Sequence, residues 1–426
     1  MNAENANSNG QEQQPAARQR ITSIDAVRGL VVFTMIFVND LAGAPTKIVP
    51  DWMRHFHGKS GMTFVDLVFP GFLFIVGMSI PFALGGRFKN GIPPWKTIGH
   101  VLARTLALLF IGVLMVNEVP DTAKMGWSGT LWCVLMYLCA ILAFSTFVSK
   151  KSHESEKGNA SLPVLFRFVR IAGLVGLVIL ALLFRGGDGH KIVSFSPFSI
   201  YTSWYGILGL IGWAYLEAAL IYMVFRNNRV ALLACMVLLF CFYPAEQTGV
   251  FGDFWLDKIV GMGGTLGSQA AITVAGMFLA TVLVTPETSE SKARARFTFW
   301  FIGACVAGAL LLHGLYGINK NEATPSWCLW ACGITAALWL VFYYFCDVHP
   351  IRGVSQPFRL AGQNVLLAYL LSEMAPSLID LLGMGNWYGG ISESCLAGAI
   401  GRSVGCSVFL LCVSAILNRL GFWLKL

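Results

Sequence analysis

Apolar windows long enough to cross a bilayer recur along almost the whole chain, near residues 27–43, 62–84, 98–117, 129–149, 164–184, 200–224, 229–244, 265–285, 297–316, 326–346, 361–380 and 402–422. Crossing roughly 30 Å of hydrocarbon takes about 20 apolar residues in a helix. In lipid every backbone N–H and C=O must be paired within the protein, so the expected fold is all-α, a polytopic transmembrane helix bundle of about 12 spans. The composition agrees, with 56% hydrophobic and 12% charged residues, against roughly 25% charged in an average soluble domain. The expected organisation is a disordered polar tail over residues 1–22, without the apolar core of a cleavable signal, and a single transmembrane domain over 23–426.

Lys and Arg set the orientation. With the N-terminal tail inside, the inner loops hold Arg87, Lys89, Lys96, Lys150, Lys151, Lys157, Arg226, Arg229, Lys292, Arg294, Arg296, Arg352 and Arg359, to which Arg18, Arg20 and Lys425 add. This bias places both termini in the cytoplasm. The net charge of +8 then follows from topology and anionic headgroups, and calls for no nucleic-acid partner. The eleven cysteines fall mostly in apolar segments and read as small hydrophobes. No CxxC pair occurs, so no metal is expected. The small-residue face of Gly261, Gly263, Gly264 and Gly267 permits close helix packing within one chain or between copies in a homo-oligomer.

The chemistry concentrates between residues 25 and 70. Arg28 stands at the inner end of the first span, while Asn39, Asp40, His55, His57 and Asp66 gather at the outer ends of the first two. Ionisable groups at the edge of hydrocarbon are costly, which favours a site over a surface. The plainer reading is interfacial anchoring and capping, and Ser23 with Asp25 fits a helix N-cap region. A histidine in such a loop is a suitable general base, with Asp66 or Asp40 to orient it. The outer loop GINKNEATPSW supplies Asn319, Lys320, Asn321 and Trp327, with His313 just before it. Amide, ammonium and aromatic groups together suit a sugar, whose hydroxyls need fixed hydrogen bonds and whose apolar face stacks on rings. The intramembrane carboxylates Glu217 and Glu373 favour a competing class, a transporter for an amino sugar or related small solute.

Several blocks carry a family resemblance: SIDAVRGLVVFTMIFVND at 23–40, RHFHGKSGMTFVDLVFPGFLFIVGMSI at 54–80, GTLGSQAAITVAGMFLA at 264–280 and INKNEATPSWCLWACGI at 318–334, with a weaker match in GQNVLLAYLLSE at 362–373. Here the chain resembles the heparan-α-glucosaminide N-acetyltransferase-like transmembrane family and its bacterial, DUF5009-type relatives. The resemblance implies transfer of an acetyl group from cytosolic acetyl-CoA to the amine of a glucosamine-type sugar or glycan beyond a bacterial inner membrane. It implies a catalytic histidine in the loop before DLVFP, which is His55 or His57, with Asp66, Asn39 and Asp40 beside it. Arg28, Arg104 and Asn364 are the residues expected to hold the cofactor. Direct transfer and an acetyl-histidine relay both fit. Two departures stand out: Leu131, Trp132 and Cys133 replace the usual Leu-Gln-Arg, and the segment 160–224 forms an added pair of spans.

Overall fold

The computed structural model describes residues 21–117, 119–147, 161–285, 288 and 290–424. Arg18, Arg20, Lys150, Lys151, Lys157, Lys425 and all but the last two residues of the N-terminal tail lie outside them. The helices are α1 Thr22–Ala42, α2 Val68–Lys89, α3 Pro94–Val116, α4 Thr122–Met125, α5 Gly129–Phe144, α6 Ser161–Leu183, α7 Gly206–Phe225 and α8 Arg229–Gln247. They continue as α9 Ala270–Val284, α10 Ser291–Tyr316, α11 Pro325–Tyr343, α12 Arg352–Ala361, α13 Val365–Leu381, α14 Gly385–Glu393 and α15 Leu396–Arg419.

Each of the twelve apolar windows overlaps a helix among the described residues. Among the described residues nine helices are long and apolar enough to cross a membrane, or ten if α13 and α14, bent by 111° at their junction, form one span. The two windows outside that count are α1, which carries Asp25, Arg28 and Asp40, and α5, which has only 16 residues. The protein is therefore a helical, multi-pass membrane bundle. The strands are short: β1 Ser145–Phe147 pairs antiparallel with β4 Phe422–Leu424, and β2 Val193–Phe195 with β3 Phe198–Ile200.

Backbone approaches fix the centre of the bundle. A Cβ on Gly77 of α2 would collide with the Thr273 carbonyl of α9, and one on Gly276 of α9 would collide with the Phe74 carbonyl of α2. Reciprocal glycines let these two helices meet backbone to backbone, the packing that small residues permit where lipid offers no hydrophobic drive. Gly29 of α1 and Gly362, just after α12, meet the same way, against Phe358 and Asp25. The α1 N-terminus corrects one expectation. Ser23 and Asp25 do not cap it; the carboxylate of Asp347 accepts the Thr22 and Ser23 N–H groups at 3.1 and 3.2 Å. Asp25 instead holds Arg28 at 2.8 Å.

The Leu131-Trp132-Cys133 departure also acquires a physical reason. Trp132 is fully buried, lies with its ring 5.2 Å from that of Phe184 in a tilted contact and donates its indole N–H to the Leu180 carbonyl at 3.0 Å. Trp132 of this triplet thus packs against the end of α6, part of the added segment.

Candidate active site

The turn of 3₁₀ helix Phe64–Leu67 opens α2, and Thr63 caps it. The Thr63 hydroxyl accepts the Val65 N–H at 3.2 Å while the Asp66 carboxylate accepts the Thr63 N–H at 3.0 Å, a reciprocal capping box. That box holds Asp66 in place, 1% exposed. Its Oδ2 also accepts the Phe56 N–H at 3.1 Å, and its Oδ1 lies 2.8 Å from His55 Nδ1. Surrounded by donors, Asp66 stands as an acceptor toward the ring: in the tautomer with its proton on Nδ1, His55 donates to Oδ1 and Nε2 keeps its lone pair. Nε2 takes part in none of the hydrogen bonds formed among the described residues.

The α10–α11 loop completes the cluster. Asn319 Oδ1 accepts the Asn321 N–H at 2.9 Å, turning the loop tightly, and Lys320 Nζ reaches 3.0 Å from His55 Nδ1 and 3.8 Å from Asp66 Oδ1. Two hydrogen bonds lock this loop to the histidine loop: Gly61 N–H donates to the Ile318 carbonyl at 2.8 Å, and Ile318 N–H to the Ser60 side-chain Oγ at 3.0 Å. Burial pushes the Lys320 ammonium below its ordinary value, with Asp66 pulling the other way.

A cavity of about 540 Å³ begins at this cluster and continues through the bundle. His55, Lys320 and Asn39 line one end; Arg28, His100, Arg104 and Gln363 line the other. Between them the wall is apolar, built from residues such as Phe69, Phe72, Val76, Leu108, Ile211 and Leu366. Arg28 and Asn39 are eleven residues apart on α1, which at 1.5 Å per residue separates the two ends by roughly 16 Å. At the arginine end, Arg28 donates to Asp25 and, at 2.6 Å, to Ser79 Oγ. The Arg104 guanidinium lies 4.6 Å over the Tyr215 ring, and its buried Nε has no hydrogen-bond partner among the described residues.

The structure thus gathers His55, Asn39, Lys320, Arg28 and Arg104 around one cavity, with Asp66 held against His55, and separates the other sequence candidates from it. His57 is exposed and outside the lining. Asp40 does not orient the imidazole: it accepts from Tyr388 Oη at 2.6 Å, Arg402 Nε at 3.1 Å and Ser403 Oγ at 2.6 Å, tying α1 to α14 and α15. Asn364 does not reach the cavity either. Its Oδ1 accepts the Leu424 N–H at 3.2 Å and its Nδ2 donates to Asn418 at 2.9 Å, so it positions the C-terminal strand whose Leu424 forms part of the wall. Asn319 shapes its own loop, Asn321 and His313 are exposed, and Trp327 is completely buried. Sequence reasoning missed His100, Tyr215 and Gln363. The first two sit on helical stripes, His100 with Arg104 on α3 and Tyr215 with Ile211 on α7, spacings that were open to reading.

Because Arg402 is buried against Asp40, Asp40→Ala strands a guanidinium. Losing one partner of a buried pair costs about 3–5 kcal/mol. The expected outcome is a lowered melting temperature in detergent, with Asp40→Asn destabilising less because it keeps two of the hydrogen bonds.

Fold and site together define a multi-pass helical membrane protein with an imidazole–carboxylate pair at one end of an intramembrane cavity and two arginines at the other. Residues 20–250, over half of the chain, match the family described as domain of unknown function (DUF5009), and the chain belongs to that family. It is 31% identical over 116 residues to mouse heparan-alpha-glucosaminide N-acetyltransferase, a match covering 27% of this chain and 17% of the mouse protein. The human protein of the same name is 31% identical over 108 residues, 25% of this chain and 15% of its own length. The chain therefore spans under a fifth of the curated relatives it matches, and the family resemblance read from the sequence motifs holds at that level.

Proposed function

We propose that the protein is a transmembrane acetyltransferase of a bacterial cytoplasmic membrane, with about 12 spans and both termini in the cytoplasm. It moves an acetyl group from cytosolic acetyl-CoA to the amine of a glucosamine-type sugar on the external side. One observation carries this reading: a single cavity has Arg28 and Arg104 at one end and His55 with Asp66 at the other. A polyanionic donor that cannot enter lipid suits the arginine end, where the buried Arg104 Nε lacks a partner among the described residues. The apolar middle accommodates the donor's thioester-bearing arm.

At the His55 end the free amine attacks the thioester carbonyl, and Nε2 takes the proton that the nitrogen sheds. The C–S bond breaks as the C–N bond closes, and the imidazolium returns the proton to the departing thiolate. Asn39 Nδ2 carries two protons and donates one to Glu373 at 2.8 Å, leaving the other for the developing oxyanion. An acetyl-histidine relay uses the same Nε2 as nucleophile.

Sidedness tests the proposal. In proteoliposomes with the arginine end inward, internal acetyl-CoA and external glucosamine are expected to give external N-acetylglucosamine. Uptake of labelled glucosamine without acetyl-CoA, with no acetylated product, would replace this reading with a transporter.

A further inference from the structure

The reacting end of the cavity contains an amine of its own. Among the described residues lining the cavity Lys320 is the only lysine, and its Nζ stands 3.0 Å from Nδ1 of His55, the histidine at which the proposed transfer takes place. Its loop is held from two sides. Gly61 and Ser60 bond Ile318, while Glu322 accepts from Asn319 Nδ2 at 3.2 Å and from Tyr243 Oη of α8 at 3.4 Å. The amine is therefore kept at the cavity rather than released to solvent.

A site that acetylates a primary amine thus holds one beside the histidine it uses. The other cations of the cavity cannot take this part: Arg28 and Arg104 line the opposite end, and their guanidiniums stay protonated. Lys47 and Lys59, in the same α1–α2 loop as His55, are exposed and outside the lining. Two opposing influences act on Lys320. Burial favours its neutral, nucleophilic form, while Asp66, 3.8 Å away, favours the ammonium. An acceptor amine in the site competes for the donor, and without one Lys320 is the amine that remains.

We infer that Lys320 is a self-acetylation site: when acetyl-CoA fills the cavity and no acceptor is present, its amine takes the acetyl group and the enzyme shuts itself off. The inference rests on the proposed transferase reading. The neutral amine attacks the thioester carbonyl, the C–N bond forms as the C–S bond breaks, and the departing thiolate takes the proton that the nitrogen sheds. The donor is the sole co-reactant. The product is an amide, which, unlike an acetyl-imidazole, does not pass its acetyl group on. Acetylation removes the cation facing Asp66 and adds bulk beside His55, at the end of the cavity where the acceptor meets the base.

The test incubates purified full-length protein with acetyl-CoA alone and maps the modified peptides by mass spectrometry. Lys320 is expected to gain one acetyl group while Lys47 and Lys59 stay unmodified. Glucosamine turnover measured afterwards should fall in proportion to the labelled fraction, and glucosamine present during the incubation should suppress the label. Hydroxylamine cleaves an acetyl-histidine but not a lysine amide, so a label surviving that treatment belongs to lysine. Lys320→Arg, which keeps a cation beside Asp66 and takes no acetyl group, should hold through the incubation whatever turnover it starts with. Equal labelling of Lys47, Lys59 and Lys320 overturns the inference as surface chemistry, and so does a fully labelled protein with undiminished turnover. If the wild type acetylates glucosamine and leaves Lys320 unmodified, the inference falls and the transferase reading stands. If it acetylates neither, the transferase reading itself falls.

Discussion

Asp66→Asn is expected to reduce acetyl-transfer turnover by about 10³- to 10⁴-fold, the loss found when an orienting carboxylate beside a catalytic imidazole becomes an amide. The argument is one of tautomers. Asp66 Oδ1 lies 2.8 Å from His55 Nδ1, and in the proposed mechanism it accepts the Nδ1 proton, which leaves Nε2 as the base. If the asparagine oxygen retains the Thr63 and Phe56 N–H groups, its NH₂ faces Nδ1 and donates to it, so the ring proton moves to Nε2. The protein keeps its capping box and loses its base. His55→Ala should fall into the same range, whereas His57→Ala, altering an exposed side chain outside the cavity, should stay within about twofold of wild type, as expected for a surface position. Turnover at saturating donor and acceptor is the measurement, with melting temperature as the check on folding. An Asp66→Asn enzyme retaining a tenth or more of wild-type turnover would remove the imidazole–carboxylate pair from the chemistry.

The choice between His55 and His57 shows where the sequence stops informing. Both lie in RHFH, a loop without periodicity, and residue type alone ranks neither. What distinguishes them in the structure is contact with Lys320, 265 positions away, and with Asp66, whose carboxylate Thr63 fixes by local capping; both meet His55. The capping box was legible, since Thr63 and Asp66 have the required spacing just before an apolar run. The docking of the NKN loop onto the histidine loop was not, because Gly61 and Ile318 meet through their backbones.

A similar limit explains Asp40 and Asn364. Polarity at a span end identified them as candidates, but their partners, Arg402 and the C-terminal strand, come from distant segments that no local pattern connects to them. The long apolar helices, by contrast, were legible, because length and hydrophobicity decide them, whereas the short α4 and α14, and α12 but for its last residue, fall between the apolar windows. The two windows that fall outside the count of membrane-crossing helices are the ones with local anomalies, charges in α1 and brevity in α5.

Arg104→Gln is expected to raise KM for acetyl-CoA by about 10- to 100-fold, since a hydrogen bond to a charged group contributes about 1.5–3 kcal/mol. Arg104 is a cleaner probe than Arg28, whose removal also breaks the pair with buried Asp25. The Arg104 side chain has a stacking surface in Tyr215 and an unpartnered Nε, so glutamine removes its charge without stranding a counter-ion in the described structure. If the guanidinium grips the anionic part of the donor, the loss must depend on that part being present. Acetylated pantetheine, which has the thioester arm but neither phosphate nor nucleotide, should give the same KM with wild type and variant. Arg104→Lys should lie between, retaining charge while losing the planar fork and its stacking. Equal losses with both donors would move Arg104 from donor binding to maintaining the cavity's shape, and would leave the arginine end of the cavity without its assigned ligand.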